Sequence, residues 1–363
     1  MTKPAVRSAD GDPAGSPQVA AAVPAGRRGV VRTARWRAVG LLVCLAILAL
    51  VVVASIAVGA RAIPLGTTLD SLFGGLHGRD AEIIRTLRIP RTLLGAEVGV
   101  ALGIAGALMQ ALTRNPLADP GILGVTAGAS AAVVTAIAFV GVASLAGYVW
   151  FALAGAAAAM VVVYTLANRG RGGATPVRLA LAGTAITFAL YAYVSGVALL
   201  DTTTFDQFRF WVVGSLGAST YATVWQVTPF LLAGVVLALC LVRPLNAIAL
   251  GEDASRALGA KVELTRGIGL LATTLMCGAA TAAVGPIAFV GLTVPHIARA
   301  ITGPDQRWVL PYSLLIAPTL LLAADVAGRW LGSPGELQVG IVTPLIGAPL
   351  FIMLVRGRRV PQL

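Results

Sequence analysis

Charged residues are scarce in this chain of 363 residues: Asp, Glu, Lys and Arg together make up 12% of it, whereas 57% is hydrophobic. A soluble domain carries roughly 25% charged residues. Long apolar runs recur along the chain, and a helix of about twenty such residues crosses a bilayer. These runs lack the strict apolar–polar alternation of a transmembrane β-barrel. We therefore predict an all-α polytopic membrane protein.

Lysine is rarer still, and its scarcity bears on ATP binding. Neither Lys3 nor Lys261 stands in the G-x-x-x-x-G-K-[ST] loop that cradles phosphates. HExxH, GxSxG and clustered Cys and His are missing as well. Cys44, Cys240 and Cys277 fall within apolar runs, and we interpret them as packing residues. The sequence supports no ATP site, metal site or intramembrane enzyme in this chain.

The net charge of +12 lies mostly at the ends of the apolar runs. Lys and Arg at such positions set membrane topology, so the charge does not indicate a nucleic-acid partner. Most of them fall on loops that are cytoplasmic if the N-terminus is inside and the number of spans is even. We predict a multi-pass protein of the cytoplasmic membrane, embedded in the lipid bilayer, with both termini inside.

The chain divides into two tails and one membrane domain. Residues 1–38 are rich in Ala, Gly, Pro and Arg and are predicted to be a disordered basic cytoplasmic tail. Residues 39–357 form the transmembrane domain, and residues 358–363 a cytoplasmic C-terminal tail. The ten predicted spans are 39–60, 92–113, 121–143, 145–167, 177–200, 221–242, 266–285, 287–302, 308–331 and 338–355.

A weak internal repeat relates two blocks of four spans. Spans two to five and spans seven to ten each begin with a Gly- and Ala-rich helix followed by a Pro- and Gly-containing break, at 115–121 and at 285–291. Corresponding spans are five apart, so the two blocks have opposite orientations. Inverted repeats with interrupted helices are common in transporters.

The polar stretch 244–266 separates two long apolar runs. Glu252 and Asp253 stand where a short helix would begin, and Gly259 stands where it would end. Acidic residues stabilise the N-terminus of a helix, and Gly commonly terminates one. An apolar stripe recurs every four residues along this helix, at Leu250, Ala254 and Leu258. From these residues alone two interpretations stay open, a solvated loop and a docking helix for another protein.

Three arginines, Arg85, Arg88 and Arg91, cluster in the segment predicted to lie outside, just before span two. Positive charge on that side runs against the topology rule. Two explanations stay open: an acidic external partner, or side chains that reach to lipid headgroups.

Carboxylates within spans could serve ion coupling, as in a secondary transporter that works alone. Asp325 precedes Arg329 by four residues, so an i,i+4 ion pair is the simpler interpretation. Glu97 has no evident partner and is a weaker candidate for coupling than for pairing near the outer rim. His296 follows Pro295 and is interpreted as structural.

Several motifs together resemble one family. They are RIPRTLL at 88–94, GALMQAL at 106–112, NPLADPGILGV at 115–125, LALAG at 179–183, FWVVGSL at 210–216, ALGEDASRALG at 249–259, GPIAFVGLTVPH at 285–296, LAADVAGR at 322–329 and ELQVGIVTPLIGAP at 336–349. In this order they resemble the FecCD family, the permease subunits of ABC importers for ferric siderophores, haem and cobalamin. The resemblance covers residues 39–357.

The resemblance implies the fold of the cobalamin-importer permease, with about ten transmembrane helices in two inverted four-helix blocks. It implies a dimer with a second permease, identical or paralogous, and two cytoplasmic ATPase subunits that bind ATP and Mg, so this chain holds no cofactor. It also implies an extracytoplasmic substrate-binding protein. The chain is then a transport subunit rather than an enzyme.

The resemblance also assigns residues. Docking of the binding protein falls on Arg88, Arg91 and Arg329. ATPase coupling falls on a helix at about 250–259, with Leu250, Gly251, Glu252, Asp253, Ala254, Arg256, Leu258 and Gly259. An inner gate falls on Thr175, Pro176 and Val177, although small polar residues are usual in the family at the last two. Glu97 also departs from the family, which is normally apolar there.

The leading prediction is therefore a permease subunit that translocates a ferric siderophore, using ATP hydrolysis by separate subunits. The siderophore is favoured only because it is a common substrate within the family. A haem or cobalamin importer permease is the alternative within transport by ABC systems. An ion-coupled secondary transporter is the alternative from another class.

Overall fold

The computed structural model describes residues 33–59, 63–64, 66–67, 70, 78–142, 145–169, 175–333 and 335–356. Within these residues the long regular elements are all helices. We number them α1 Ala34–Ala57, α2 Arg79–Thr113, α3 Val125–Val140, α4 Leu145–Asn168, α5 Pro176–Leu200, α6 Thr202–Val212, α7 Tyr221–Cys240, α8 Val242–Ile248, α9 Glu252–Ala257, α10 Val262–Val284, α11 Val290–Thr302, α12 Gln306–Leu331 and α13 Val339–Arg356.

Seven of these helices are long and apolar enough to cross a membrane, namely α1, α2, α4, α5, α7, α10 and α12. The shorter apolar helices α3 and α13 and the 13-residue α11 lie at the three other predicted spans. α3 and α11 are short because each follows one of the predicted Pro- and Gly-containing breaks. Gly124 adopts a left-handed φ of 73° before α3, and Phe289 a φ of 70° before α11. The predicted starts of these two spans, at 121 and 287, were therefore a few residues early.

Span two was predicted to begin at residue 92, and the helix that contains it begins earlier in the chain. The helix begins at Arg79 and runs for 35 residues, so Arg88 and Arg91 lie within the helix rather than in a loop. Asp80 and Glu82 in its first turn favour the positive end of the helix. A π-helical turn at Ile84–Arg88 precedes Pro90. Such a turn changes the local hydrogen-bond spacing just before a residue that has no N–H to donate.

The two tails mostly lie outside the described residues. The predicted tail 1–38 is described only from residue 33, and α1 already begins at Ala34. The predicted C-terminal tail 358–363 is not among the described residues. The described cysteines, Cys44, Cys240 and Cys277, are free thiols.

The two four-helix blocks predicted from the sequence are α2–α5 and α10–α13, and their packing is reciprocal. α2 packs along α12, and its counterpart α10 packs along α4. α2 and α10 also contact each other at the centre of the bundle. α3 packs on α4 as α11 packs on α12. The breaks thus separate the first helix of each block from a short helix that packs on the third.

The contact between α2 and α12 depends on glycines spaced by three or four residues. Gly95, Gly99 and Gly103 lie on one face of α2 against α12, and Gly106 lies against Gly291 of α11. A Cβ atom at Gly99 would lie 2.5 Å from the Cα atom of Pro318 on α12, and one at Gly103 would overlap Ala317. Small residues at such positions let two membrane helices approach closely.

This close approach predicts opposite effects for two glycine-to-alanine substitutions. Gly99→Ala should lower the free energy of unfolding by about 1–3 kcal/mol, because the methyl group meets the α12 backbone. Gly267→Ala on α10 meets nothing within 4 Å and should be neutral or stabilising by up to about 1 kcal/mol. Thermal denaturation in detergent measures both. Equal stability of the two variants would contradict the packing.

Candidate functional site

The candidate residues lie at two opposite ends of the bundle. α2 and α10 are antiparallel, since Gly269 near the start of α10 lies beside Leu112 at the end of α2. The arginine end contains Ser55, Arg88, Arg91, Asp325, Arg329 and Glu336. The α9 end contains α8, α9 and the first turn of α10. Arg91 and Leu112 are separated by about 32 Å along α2, at 1.5 Å per residue.

Asp325 is the centre of the arginine end. Its side chain is fully buried, with 0% exposure, and it binds two guanidinium groups. Arg91 Nη2 lies 2.8 Å from Asp325 Oδ1, and Arg91 Nε also donates to this carboxylate. Arg329 Nη2 lies 3.0 Å from Asp325 Oδ2, which confirms the predicted i,i+4 pair. A buried carboxylate is stable only with such compensation.

Two arginines also bind the last turn of α1. Arg329 Nη1 donates to the carbonyl oxygen of Ser55 at 2.9 Å and to that of Val58, and Arg88 Nη1 donates to that of Ile56 at 2.8 Å. The last carbonyls of a helix have no partner within it and carry partial negative charge. The arginines therefore attach α1 to α2 and α12.

Glu336 completes the arginine end from the link between α12 and α13. Its Oε2 lies 2.8 Å from Arg91 Nη1, and its side chain is 37% exposed. Arg88, Arg91 and Arg329 are thus buried and bound within the chain, whereas for Arg88 and Arg91 the sequence analysis offered only an external acid or lipid headgroups. Their assignment to binding-protein docking stays a prediction.

At the α9 end, the predicted short helix is confirmed. α9 spans Glu252–Ala257, with Glu252 and Asp253 in its first turn. Gly251 and Gly259 flank it with φ of 108° and 82°, values that favour glycine. Leu250 and Leu258 are 66% and 69% exposed, and Ala254 between them is exposed too. The predicted apolar stripe has no cover among the described residues.

Glu252 faces the opposite way from this stripe, towards α10. It forms an ion pair with the buried Arg266 of α10, and a second one with Arg256 at 3.6 Å. Glu263 joins both arginines, with its Oε1 3.5 Å from Arg266 Nη1. Arg266 and Glu263 were not among the predicted residues, although Arg266 closes the polar stretch. These contacts attach α9 to α10.

The chain before α9 is attached to α12. Asn246 on α8 donates from Nδ2 to Asp305 Oδ1 at 2.7 Å, and its Oδ1 accepts from the backbone N–H of Gln306 at 2.9 Å. Asp305 also caps α12 by accepting from the N–H of Arg307. Sequence analysis missed Asn246 because its partners lie about sixty positions away.

Side chains of the loop that follows α2 accept hydrogen bonds from the backbone of the same loop. Asn115 Oδ1 accepts from the N–H of Leu117 at 2.9 Å, and Asp119 Oδ1 accepts from the N–H of Gly121 at 2.7 Å. Burial raises the pKa of the Asp119 carboxyl, and the hydrogen bond from Gly121 partly opposes this. Asn115 and Asp119 therefore stabilise turns in this loop.

The predicted gate residues lie at the start of α5. Thr175 caps this helix by accepting from the N–H of Arg178 at 3.4 Å, and Val177 is exposed. Pro176 is its first residue, where the missing N–H costs nothing. Residues 170–174 lie outside the described residues. The gate assignment stays a prediction.

Glu97 has a partner that the sequence did not reveal. Thr228 Oγ1 on α7 lies 3.0 Å from both carboxylate oxygens of Glu97. Asp325, the other relay candidate, is compensated by two guanidinium groups. His296 lies edge-on to Phe351, with ring centroids 5.9 Å apart. These arrangements are typical of structural contacts rather than of a chain of proton carriers.

A cavity of about 470 Å³ lies between α3, α4 and α5. Its walls are almost entirely Gly, Ala, Val, Ile and Leu, with a hydrogen bond between Thr135 and Tyr193 of 2.8 Å. Ligand specificity usually comes from a few placed polar groups. This cavity therefore has few polar groups with which to select a ligand.

Comparisons with known proteins agree with this architecture. The FecCD transport family matches residues 47–357. The chain is 49% identical over 305 residues to the ferric enterobactin transport system permease protein FepD of Escherichia coli K12, covering 84% of this chain and 91% of FepD. It is 42% identical over 305 residues to the Fe(3+)-citrate import system permease protein YfmD of Bacillus subtilis 168, covering 84% of this chain and 90% of YfmD.

A solved structure is also similar. A metal-chelate type ABC transporter, in an inward-facing conformation, superposes with a TM-score of 0.78 at 27% identity. The match covers 89% of this chain and all of that one.

The ion pair between Glu252 and Arg266 predicts how firmly α9 is held. Glu252→Gln should speed hydrogen exchange of the α9 amides by about tenfold, because a charge-assisted contact to α10 is lost. Asp253→Asn is the matched control, since it removes an exposed acid from the same turn. Mass spectrometry of a peptide covering α9 measures the rates. Equal rates in the two variants would show that Arg266 does not hold the helix.

Proposed function

The chain belongs to the FecCD transport family and is the permease subunit of an ABC importer of the siderophore, haem or cobalamin type, and we propose that its own substrate is a ferric siderophore. The observation that carries the proposal is the similarity to a ferric enterobactin permease over most of both chains. The second relative, a ferric citrate permease, also transports a ferric chelate.

The energy comes from two separate cytoplasmic ATPase subunits, which bind ATP and Mg. They dock at the α9 end, where Leu250, Ala254 and Leu258 form an exposed apolar stripe at a polar surface. An exposed apolar patch with a polar rim is typical of a protein contact site. Gly251 and Gly259 set the helix ends, Asp253 and Arg256 form the rim, and Glu252 anchors the helix through Arg266.

An extracytoplasmic substrate-binding protein docks at the arginine end, with acidic side chains directed at Arg88, Arg91 and Arg329. Guanidinium groups bind carboxylates with two parallel hydrogen bonds, which fixes orientation as well as affinity. Only part of this surface is accessible in the chain alone, because Asp325 and Glu336 already bind Arg91. The binding protein therefore docks on arginines whose hydrogen-bonding groups are already partly occupied by carboxylates of this chain.

The chain is a multi-pass protein of the cytoplasmic membrane, and we place the arginine end outside and both termini inside. A second permease, identical or paralogous, packs beside it, with α5 and α13 along the shared pathway. Most large side chains of α5 are exposed in the single chain, among them Leu181 and Phe188. Thr175, Pro176 and Val177 close this pathway at its inner end.

Uptake into vesicles tests the substrate. The permease, reconstituted with its ATPase subunits and binding protein, should accumulate iron from ferric enterobactin or another ferric siderophore only when ATP is supplied on the ATPase side. Haemin and cyanocobalamin are the comparison probes. Uptake of haemin or cyanocobalamin, with no uptake of a ferric siderophore, would identify that compound as the substrate instead. Uptake that persists without ATPase subunits under a proton gradient would instead indicate an ion-coupled secondary transporter.

A further inference from the structure

Arg91 binds two carboxylates that differ in their exposure to solvent. Its Nε and Nη2 donate to Asp325, and its Nη1 donates to Glu336 at 2.8 Å. Asp325 is 0% exposed and lies on the same helix as Arg329, which also binds it. Glu336 is 37% exposed and has Arg91 as its ion-pair partner. Asp325 is therefore a fixed partner of Arg91, whereas Glu336 is at the accessible edge.

Glu336 belongs to the link between α12 and α13. The backbone beside it is anchored, because the N–H of Leu337 donates to Gly328 O at 3.1 Å and the N–H of Gly340 donates to Gly214 O at 3.0 Å. The Arg91–Glu336 pair adds a side-chain tie from this link to α2. Glu336 can leave Arg91 by rotating its side chain, with no change in the buried Asp325 contacts.

We propose that Glu336 occupies, in the undocked chain, the position on Arg91 that a carboxylate of the docking binding protein takes. This inference rests on the proposed docking of an acidic binding protein at the arginine end. Docking then exchanges one carboxylate for another on Arg91 Nη1, so the charge of the cluster stays compensated throughout. Glu336 lowers the affinity for the binding protein and, once displaced, releases the side-chain tie from this link to α2.

The exchange predicts that Glu336→Gln tightens docking. A neutral amide competes less well for Arg91, so the Kd for the binding protein that supports uptake should fall about fivefold, the upper range for a partly exposed ion pair. Asp206→Asn is the matched control, because it removes one exposed acid from α6, and Gly214 in the turn after α6 accepts a hydrogen bond from Gly340 at the start of α13. Binding is measured on the whole transporter in lipid nanodiscs, at low and physiological salt.

We call the Arg91–Glu336 pair the latch. Arg91→Gln separates the effect of the latch from docking itself. If both proposals hold, Arg91→Gln weakens docking, most at low salt, and Glu336→Gln has no effect in that background. Arg91→Lys takes its place if Arg91→Gln does not fold, since a single ammonium keeps the charge beside Asp325 without the fork that reaches both acids.

Three outcomes would overturn the latch alone: unchanged or weaker docking of Glu336→Gln, equal tightening by Asp206→Asn, or tightening that persists without Arg91. Unchanged docking of Arg91→Gln would instead remove Arg91 from the docking surface, and the latch with it. The two failures are therefore distinguishable.

Discussion

The buried carboxylate of Asp325 is the interaction on which the arginine end depends. It accepts from Arg91 of α2 and Arg329 of α12, and Arg329 in turn binds the last carbonyls of α1. Three helices from distant parts of the chain therefore meet through one acid. Removal of that acid would take its carboxylate away from the buried Arg329 and leave Arg91 with the partly exposed Glu336, a far larger cost than the loss of a surface ion pair.

α12 connects this cluster to the other end of the bundle. Its first turn binds Asn246, just before α9, and its last turns carry Asp325 and Arg329. Gln306 and Asp325 are about 29 Å apart along the helix, at 1.5 Å per residue. The glycine face of α2 packs against the middle of this helix. The two proposed docking surfaces are thus held at the ends of the same pair of closely packed helices.

Local sequence signals predicted much of this arrangement, and distant partners account for what they missed. α9 was predictable because its acids and glycines lie within ten residues, and the Asp325–Arg329 pair because i,i+4 spacing is a helical contact. The partners of Arg91 lie 234 and 245 positions away, and Thr228 lies 131 positions from Glu97. No pattern in one sequence indicates such pairs. For the same reason, arginines bound inside the chain resembled unpaired outward charges.

A double-mutant cycle on Arg91 and Asp325 tests most directly whether this buried ion pair holds the arginine end together. Unfolding of Arg91→Gln, Asp325→Asn and the double variant would be measured in mixed detergent micelles. Each single change should lower the free energy of unfolding by about 3–5 kcal/mol. The double variant should be more stable than the sum of the two losses by about 1–3 kcal/mol. Losses that add to within about 0.5 kcal/mol would contradict the account, because independent sites behave in that way.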